Sequence, residues 1–114
     1  MSFAEKNQVW VENSRLPLIP AGEGVNRRIL AYTDELMCVE NHFKKGAVGP
    51  VHSHPHTQIT YVVSGVFEFT IAGETKIVRQ GDCMLKKDGV PHGCVCIEPG
   101  TLLDIFTPMR EDIF

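Results

Sequence analysis

Three of the five histidines fall in one run, His52-Ser53-His54-Pro55-His56, and an amide, Gln58, follows two positions later. Alternate side chains of an extended backbone share a face, so His52, His54, His56 and Gln58 start out aimed to one side. Pro55 interrupts the regular strand, and all four are therefore not expected to converge on a single point. Neutral imidazole is a common ligand of zinc, nickel, copper and iron, and a ligand from a distant strand can close such a set at the mouth of a small barrel. His92, directly after Gly89-Val90-Pro91, is that distant candidate. A lone histidine is more often a surface or hydrogen-bonded core residue; the clustering is what points His52, His54, Gln58 and His92 to one divalent metal. His42 is expected to be an ordinary surface or strand histidine, and His56 to stand behind the ligands or face a substrate. Imidazole and amide accept nickel, zinc, manganese and iron alike, so the ligand types leave the metal's identity open.

Positioning such ligands requires strands, and strands dominate the pattern. No long segment keeps apolar residues at helical spacing, whereas short β-branched and aromatic runs recur between turn residues. The candidate strands are Val25–Tyr32, Leu36–Phe43, Gln58–Val63, Val66–Ile71, Thr75–Arg79, Asp82–Leu85, His92–Ile97 and Leu102–Thr107. Breaks rich in Gly, Pro and Asp separate them, at Thr33–Glu35, Gly46–Pro50, Ser64-Gly65, Ala72–Glu74, Gln80-Gly81, Lys86–Pro91 and Glu98–Gly100. Evenly spaced short strands without room for crossover helices give an all-β architecture, best fitted by an antiparallel jelly-roll β-barrel. Residues 1–24, with Pro17, Pro20 and Gly22 and one apolar cluster at Val9-Trp10-Val11, are expected to form an arm and edge strand around a barrel of residues 25–114. Together they make one domain.

A chain of 114 residues with 43% hydrophobic content supports one core. Its 11 basic and 14 acidic residues give a net charge of −3, without a basic run, which argues against nucleic-acid or membrane partners. No apolar stretch spans a bilayer and MSFAEKNQVW lacks a secretory layout, so a cytoplasmic location is expected. In that setting Cys38, Cys83, Cys94 and Cys96 are expected to be free thiols rather than a disulfide framework or a zinc site.

At this point a family resemblance becomes specific. Gly46, five residues, His52, one residue, His54, three residues, Gln58, six residues and Gly65 resemble the first cupin motif, with Gln where Glu is usual. The run Gly81-Asp82 to Gly89-Val90-Pro91-His92 resembles the second, with Lys87 where Pro is usual. The resemblance implies a single-domain cupin with one divalent ion on His52, His54, Gln58 and His92. A Glu ligand would leave a divalent site at about +1, whereas three imidazoles and an amide leave about +2. Such a site is a stronger Lewis acid and favours an anionic substrate.

Three further stretches, Phe43–Ala47, His54–Gln58 and Asp104–Asp112, are similar to the pectin-degradation cupins, over about Val25 to the C-terminus. That resemblance implies metal-assisted opening of 4,5-unsaturated uronate monosaccharides to the linear 4-deoxy-5-keto form. Ring opening needs an electrophile to hold developing negative charge and a group to move protons. In Leu102-Leu103-Asp104-Ile105-Phe106, alternation puts Asp104 on the apolar face with Leu102 and Phe106, where a carboxylate is costly unless paired or functional. Asp104 is also where the resemblance implies the acid-base residue. Arg110 is the candidate to clamp a substrate carboxylate bidentately, and Phe106 to pack on the sugar face. Ile59 and Tyr61 lie on the opposite face of the Gln58 strand, leaving an apolar outer surface for a homodimer. Two rivals stay open: a cupin dioxygenase with a three-histidine iron site, and a non-catalytic sugar-binding module.

Overall fold

The computed structural model describes residues 3–114. Eight strands follow in order: β1 (Ile19–Pro20), β2 (Val25–Tyr32), β3 (Met37–Phe43), β4 (Val48–His52), β5 (Thr57–Ile71), β6 (Glu74–Arg79), β7 (Cys83–Lys86) and β8 (His92–Thr107). All pairings are antiparallel, and only two single-turn 3-10 helices, Asn13–Arg15 and Glu111–Ile113, interrupt the β-structure among the described residues. The main path runs β1-β2-β3-β8-β5-β6, with β4 on β8 and β7 on β5. No helix of the described residues is long and apolar enough to cross a membrane.

The two long strands build the jelly roll. β5 and β8 pair from Thr57↔Thr107 to Ile71↔His92, with register shifts around Ser64 to Phe67. On one side of that bend β8 pairs with β3 and β5 with β7; on the other β8 pairs with β4 and β5 with β6. One hairpin thus contributes to both walls. Gly65 permits the bend: its φ is +85°, and a Cβ there would lie 2.7 Å from the carbonyl oxygens of Glu98 and Pro99. The extra residue also switches the buried face of β5 from even positions (Gln58, Thr60, Val62) to odd ones (Phe67, Phe69).

Two sequence expectations change here. Ser64-Gly65 and Glu98–Gly100 are bends inside continuous strands, because Gly and Pro in a bulge interrupt the apolar alternation just as a turn does. The segment assigned to the Gly46–Pro50 break is largely strand β4, hidden because its exposed, Gly- and Pro-containing sequence lacks alternation. In the arm, only Ile19–Pro20 pairs with β2, while Val9 and Trp10 lie 81% and 85% exposed. The four cysteines are free.

Burial divides the interior into two apolar clusters. One gathers Val25, Val62, Phe67, Phe69, Cys94, Cys96 and Leu102; the other Ile29, Met37, Val39 and Phe106. Each strand crossing from one to the other carries a polar residue between its apolar ones: Arg27 between Val25 and Ile29, Asn41 between Val39 and Phe43, Asp104 between Leu102 and Phe106. A polar belt therefore crosses the barrel interior. The outer face is apolar at Ile59, Tyr61, Val63 and Leu85, all exposed.

Candidate metal centre and its pocket

β4 ends at His52, and His52 stands opposite His92 at the start of β8 in the antiparallel register. Strand pairing alone thus brings together two imidazoles forty residues apart in the chain. His54 lies in the connection to β5, and one ring nitrogen each from His52, His54 and His92 fall within 4.8 Å of one another. The Nδ1 atoms of His52 and His92 bond the carbonyls of Pro50 (2.7 Å) and Val90 (3.1 Å). Donation from Nδ1 fixes the tautomer whose Nε2 lone pair is free for an ion. Burial, then the neighbouring charges of Arg110, His52 and His56, pushes His54 down to about 4; burial, then Lys86, does the same to His92. Both rings are therefore neutral at neutral pH, the form that ligates.

Gln58 completes the set. It is buried at the start of β5, with its Oε1 3.1 Å from His54 Nε2. Ligands held about 2.1 Å from one ion stand about 3.0 to 3.4 Å apart, so this separation suits two members of one coordination shell. The amide is locked from behind, because Nε2 donates to Asp104 Oδ1 (2.8 Å) and to Thr60 Oγ1 (3.1 Å), leaving the oxygen forward. Three imidazoles and one oriented amide oxygen are a donor set suited to a divalent transition ion.

Asp104 is 7% exposed, on the same face as Leu102 and Phe106. Its Oδ1 accepts from Gln58 and from Thr60 Oγ1 at 2.5 Å, and its Oδ2 accepts from Asn41 Nδ2 at 2.6 Å. Thr60 in turn accepts from Lys86 Nζ at 2.8 Å, so its hydroxyl donates once and accepts twice. Lys86 is 2% exposed, with its ammonium 4.3 Å from the centroid of the Phe69 ring. Burial pulls Lys86 below the ordinary lysine value, and the charge of Asp104 partly offsets this.

A cavity of about 960 Å³ opens onto these groups, its wall including His52, Gln58, Lys86, His92, Asp104 and Arg110. That volume accommodates a monosaccharide. The Phe106 ring is buried and lies 5.8 Å from the His54 ring, while Arg110 sits over it at 5.3 Å. Arg110 is held by Asp112, Nη2 to Oδ2 at 2.7 Å and Nε to Oδ1 at 3.3 Å. His56 stands behind His54, its Nε2 bonding the Met109 carbonyl at 3.3 Å, and its ring is 6.4 Å from that of Phe106. His42 lies away from the cluster, bonded to Glu40 and Thr101.

Arg27, Asn41, Thr60 and Lys86 also belong to this interior and were not singled out by sequence. The signal that revealed Asp104, a polar residue inside an apolar alternation, was present for three of them, in Val25-x-Arg27-x-Ile29, Val39-x-Asn41-x-Phe43 and Gln58-x-Thr60-x-Val62. The turn chemistry of Lys86–Pro91 places Lys86 outside a strand, whereas the structure extends β7 through it.

The cupin domain family model matches residues 39–106. The chain is 44% identical over 93 residues to the pectin degradation protein KdgF of Dickeya dadantii, covering 80% of this chain and 84% of that one. Among solved structures, an RmlC-like cupin from Shewanella frigidimarina superposes with a TM-score of 0.93 at 36% identity, over 97% of this chain and all of that one. KdgF from Halomonas sp. superposes with a TM-score of 0.90 at 35% identity, over 95% of this chain and all of that one. With the motif histidines converging at the barrel mouth, this chain belongs to the cupin family and, within it, to the pectin-degradation cupins related to KdgF.

Proposed function

We propose that the protein opens the ring of 4,5-unsaturated uronate monosaccharides from pectin or alginate breakdown, giving the linear 4-deoxy-5-keto uronate. The observation that carries this reading is the placement of Asp104: a buried carboxylate on the cavity wall, tied through the Gln58 amide to the three-histidine cluster. The relationship to proteins named for pectin degradation supports the substrate class.

The reaction is an isomerisation. The anomeric O–H bond breaks as the C1 carbonyl forms, the bond from C1 to the ring oxygen breaks, and its electron pair leaves on the ring oxygen as an enolate. A proton at C4 then converts the enolate to the 5-ketone. A divalent ion on His52, His54, Gln58 and His92 would supply Lewis acidity where negative charge develops. Asp104 is assigned the proton transfer: Oδ1 is occupied by two donors, but Oδ2 accepts only from Asn41 and keeps a lone pair for a proton taken from one substrate atom and returned to another. Phe106 offers an apolar ring to the sugar face, with His56 and Arg110 bordering it. The exposed Ile59, Tyr61, Val63 and Leu85 support a homodimer, which light scattering tests.

The deciding experiment follows the ultraviolet absorbance of an unsaturated galacturonate with and without the metal-loaded protein, while an electrode records dissolved oxygen. The expected outcome is faster loss of absorbance without oxygen uptake. Oxygen uptake would put the three-histidine dioxygenase in its place. Binding without acceleration would leave a sugar-binding module.

A further inference from the structure

Arg27 is the one guanidinium on the cavity wall whose charge the protein leaves unmatched. It projects inward between Val25 and Ile29, 6% and 2% exposed, whereas its neighbour Arg28 turns outward to Glu40 at 3.8 Å. Its Nε is buried without a hydrogen-bond partner, and none of the ion pairs among the described residues includes it. No ion pair or hydrogen bond joins Arg27 to Asp104, whose bonds go to Gln58, Thr60 and Asn41. Arg110, the other cavity-wall guanidinium, already has its carboxylate in Asp112. The two arginines are close enough that Arg110, after burial itself, pulls Arg27 below the ordinary arginine value, with Asp104 and Asp112 partly offsetting both.

A half-buried guanidinium whose Nε is shut off from water without a partner, beside a second guanidinium, is costly to hold, and the cost is recovered when an anion enters. Of the cavity's other formal charges, Glu23, Lys44 and Lys45 are exposed to water, whereas the buried Lys86 and Asp104 compensate each other through Thr60. We infer that Arg27, rather than the Asp112-bound Arg110, takes the carboxylate of a sugar acid bound in this cavity, so that it sets the preference for a uronate over a neutral sugar. Its planar fork pairs with both carboxylate oxygens, the geometry a lysine cannot reproduce. The inference rests on the uronate reading above for its ligand class, but not on turnover.

The test uses the full-length, metal-loaded protein in calorimetric titrations with galacturonate and galactose, which differ only in carboxylate against hydroxymethyl at C6. Wild type is expected to prefer galacturonate. Arg27→Gln is expected to weaken galacturonate binding about tenfold to a hundredfold and to leave galactose binding unaltered. Arg27→Lys recovers part of the preference, and it carries the comparison by itself if Arg27→Gln does not fold. A merely structural role would weaken both sugars together, and that result overturns the inference. So does a wild type without preference, or a preference that survives in both Arg27 variants and disappears in Arg110→Gln. Turnover of unsaturated galacturonate is recorded alongside. Preference without turnover sinks the ring-opening reading and keeps Arg27; turnover with unchanged kinetics in both Arg27 variants sinks Arg27 alone.

Discussion

The motif's usual Glu is Gln58 here, and the geometry behind it says what a carboxylate would meet. Gln58 Nε2 lies 2.8 Å from Asp104 Oδ1, so Gln58→Glu replaces a donor by an anion at that distance. Two unit charges 2.8 Å apart repel by about 6 kcal/mol at an effective dielectric near 20. The pair can escape by holding one proton between its members. At pH 7, protonating a carboxyl of ordinary pKa about 4.3 costs about 3.7 kcal/mol, the cheaper route. Metal-stripped Gln58→Glu is therefore expected to be less stable than metal-stripped wild type by about 4 kcal/mol at pH 7. The folded pair keeps a proton that the unfolded chain releases, so its pKa is raised on folding. Its stability is complete below about pH 4.3 and lost as pH rises. Relative to wild type the deficit shrinks by about 1.4 kcal/mol per pH unit, to about 1 kcal/mol at pH 5. Urea unfolding of both proteins at pH 5, 6 and 7 measures it, and Gln58→Glu with Asp104→Asn should erase the pH dependence. A deficit equal at all three pH values, or one that survives Asp104→Asn, would refute the reasoning.

Asp104→Ala should lower turnover of the unsaturated uronate about a hundredfold to ten-thousandfold even at saturating metal, where the three imidazoles and the Thr60-held Gln58 keep the metal per chain, read by mass spectrometry of the digested protein, at the wild-type value. Full activity would remove Asp104 from the chemistry. Gly65→Ala forces a Cβ to within 2.7 Å of two carbonyl oxygens at a φ of +85° and should cost about 3 kcal/mol or more, lowering Tm by about 12 °C or more; a shift of a degree or two would mean that the bend tolerates a side chain. With metal removed, His54 and His92, held near 4 when folded against an ordinary value near 6.5, refuse protons that the unfolded chain accepts. Stability of the stripped wild type should be complete above about pH 6.5 and fall as pH drops toward 4, and a flat urea midpoint across that window would contradict the burial of these rings.

What sequence conveyed well was whatever leaves a local mark. Clustered His52, His54 and Gln58 and the interrupted alternation around Asp104 were legible because each is a departure visible within a few residues. The jelly roll followed from strand rhythm and turn chemistry. Strand continuity through Gly65 and Gly100 was not legible, since a bulge and a turn use the same residues. Arg110 illustrates a different limit. Its residue type announced an anion clamp, but whether its charge is free depends on Asp112 folding back onto it, a matter of chain path after β8. Lys86 followed Cys83-Met84-Leu85 with turn residues beyond it, and only the pairing Gln58↔Lys86 shows that its stem continues the strand into the interior.

The full-length pairing of β5 with β8 bears on how the protein acquires its site during folding. At the Ile71↔His92 end the two strands close a loop of modest length, whereas the Thr57↔Thr107 end must close one more than twice as long. Loop entropy therefore favours zippering from the apolar half, past the bend, toward the half that carries Gln58, Thr60 and Asp104. The buried charges are desolvated last, after Phe67 and Phe69 have already been enclosed. Ion uptake then reports strands in final register rather than mere collapse, because Gln58 finds the Asp104 and Thr60 that hold its amide in place only when the last pairs have formed.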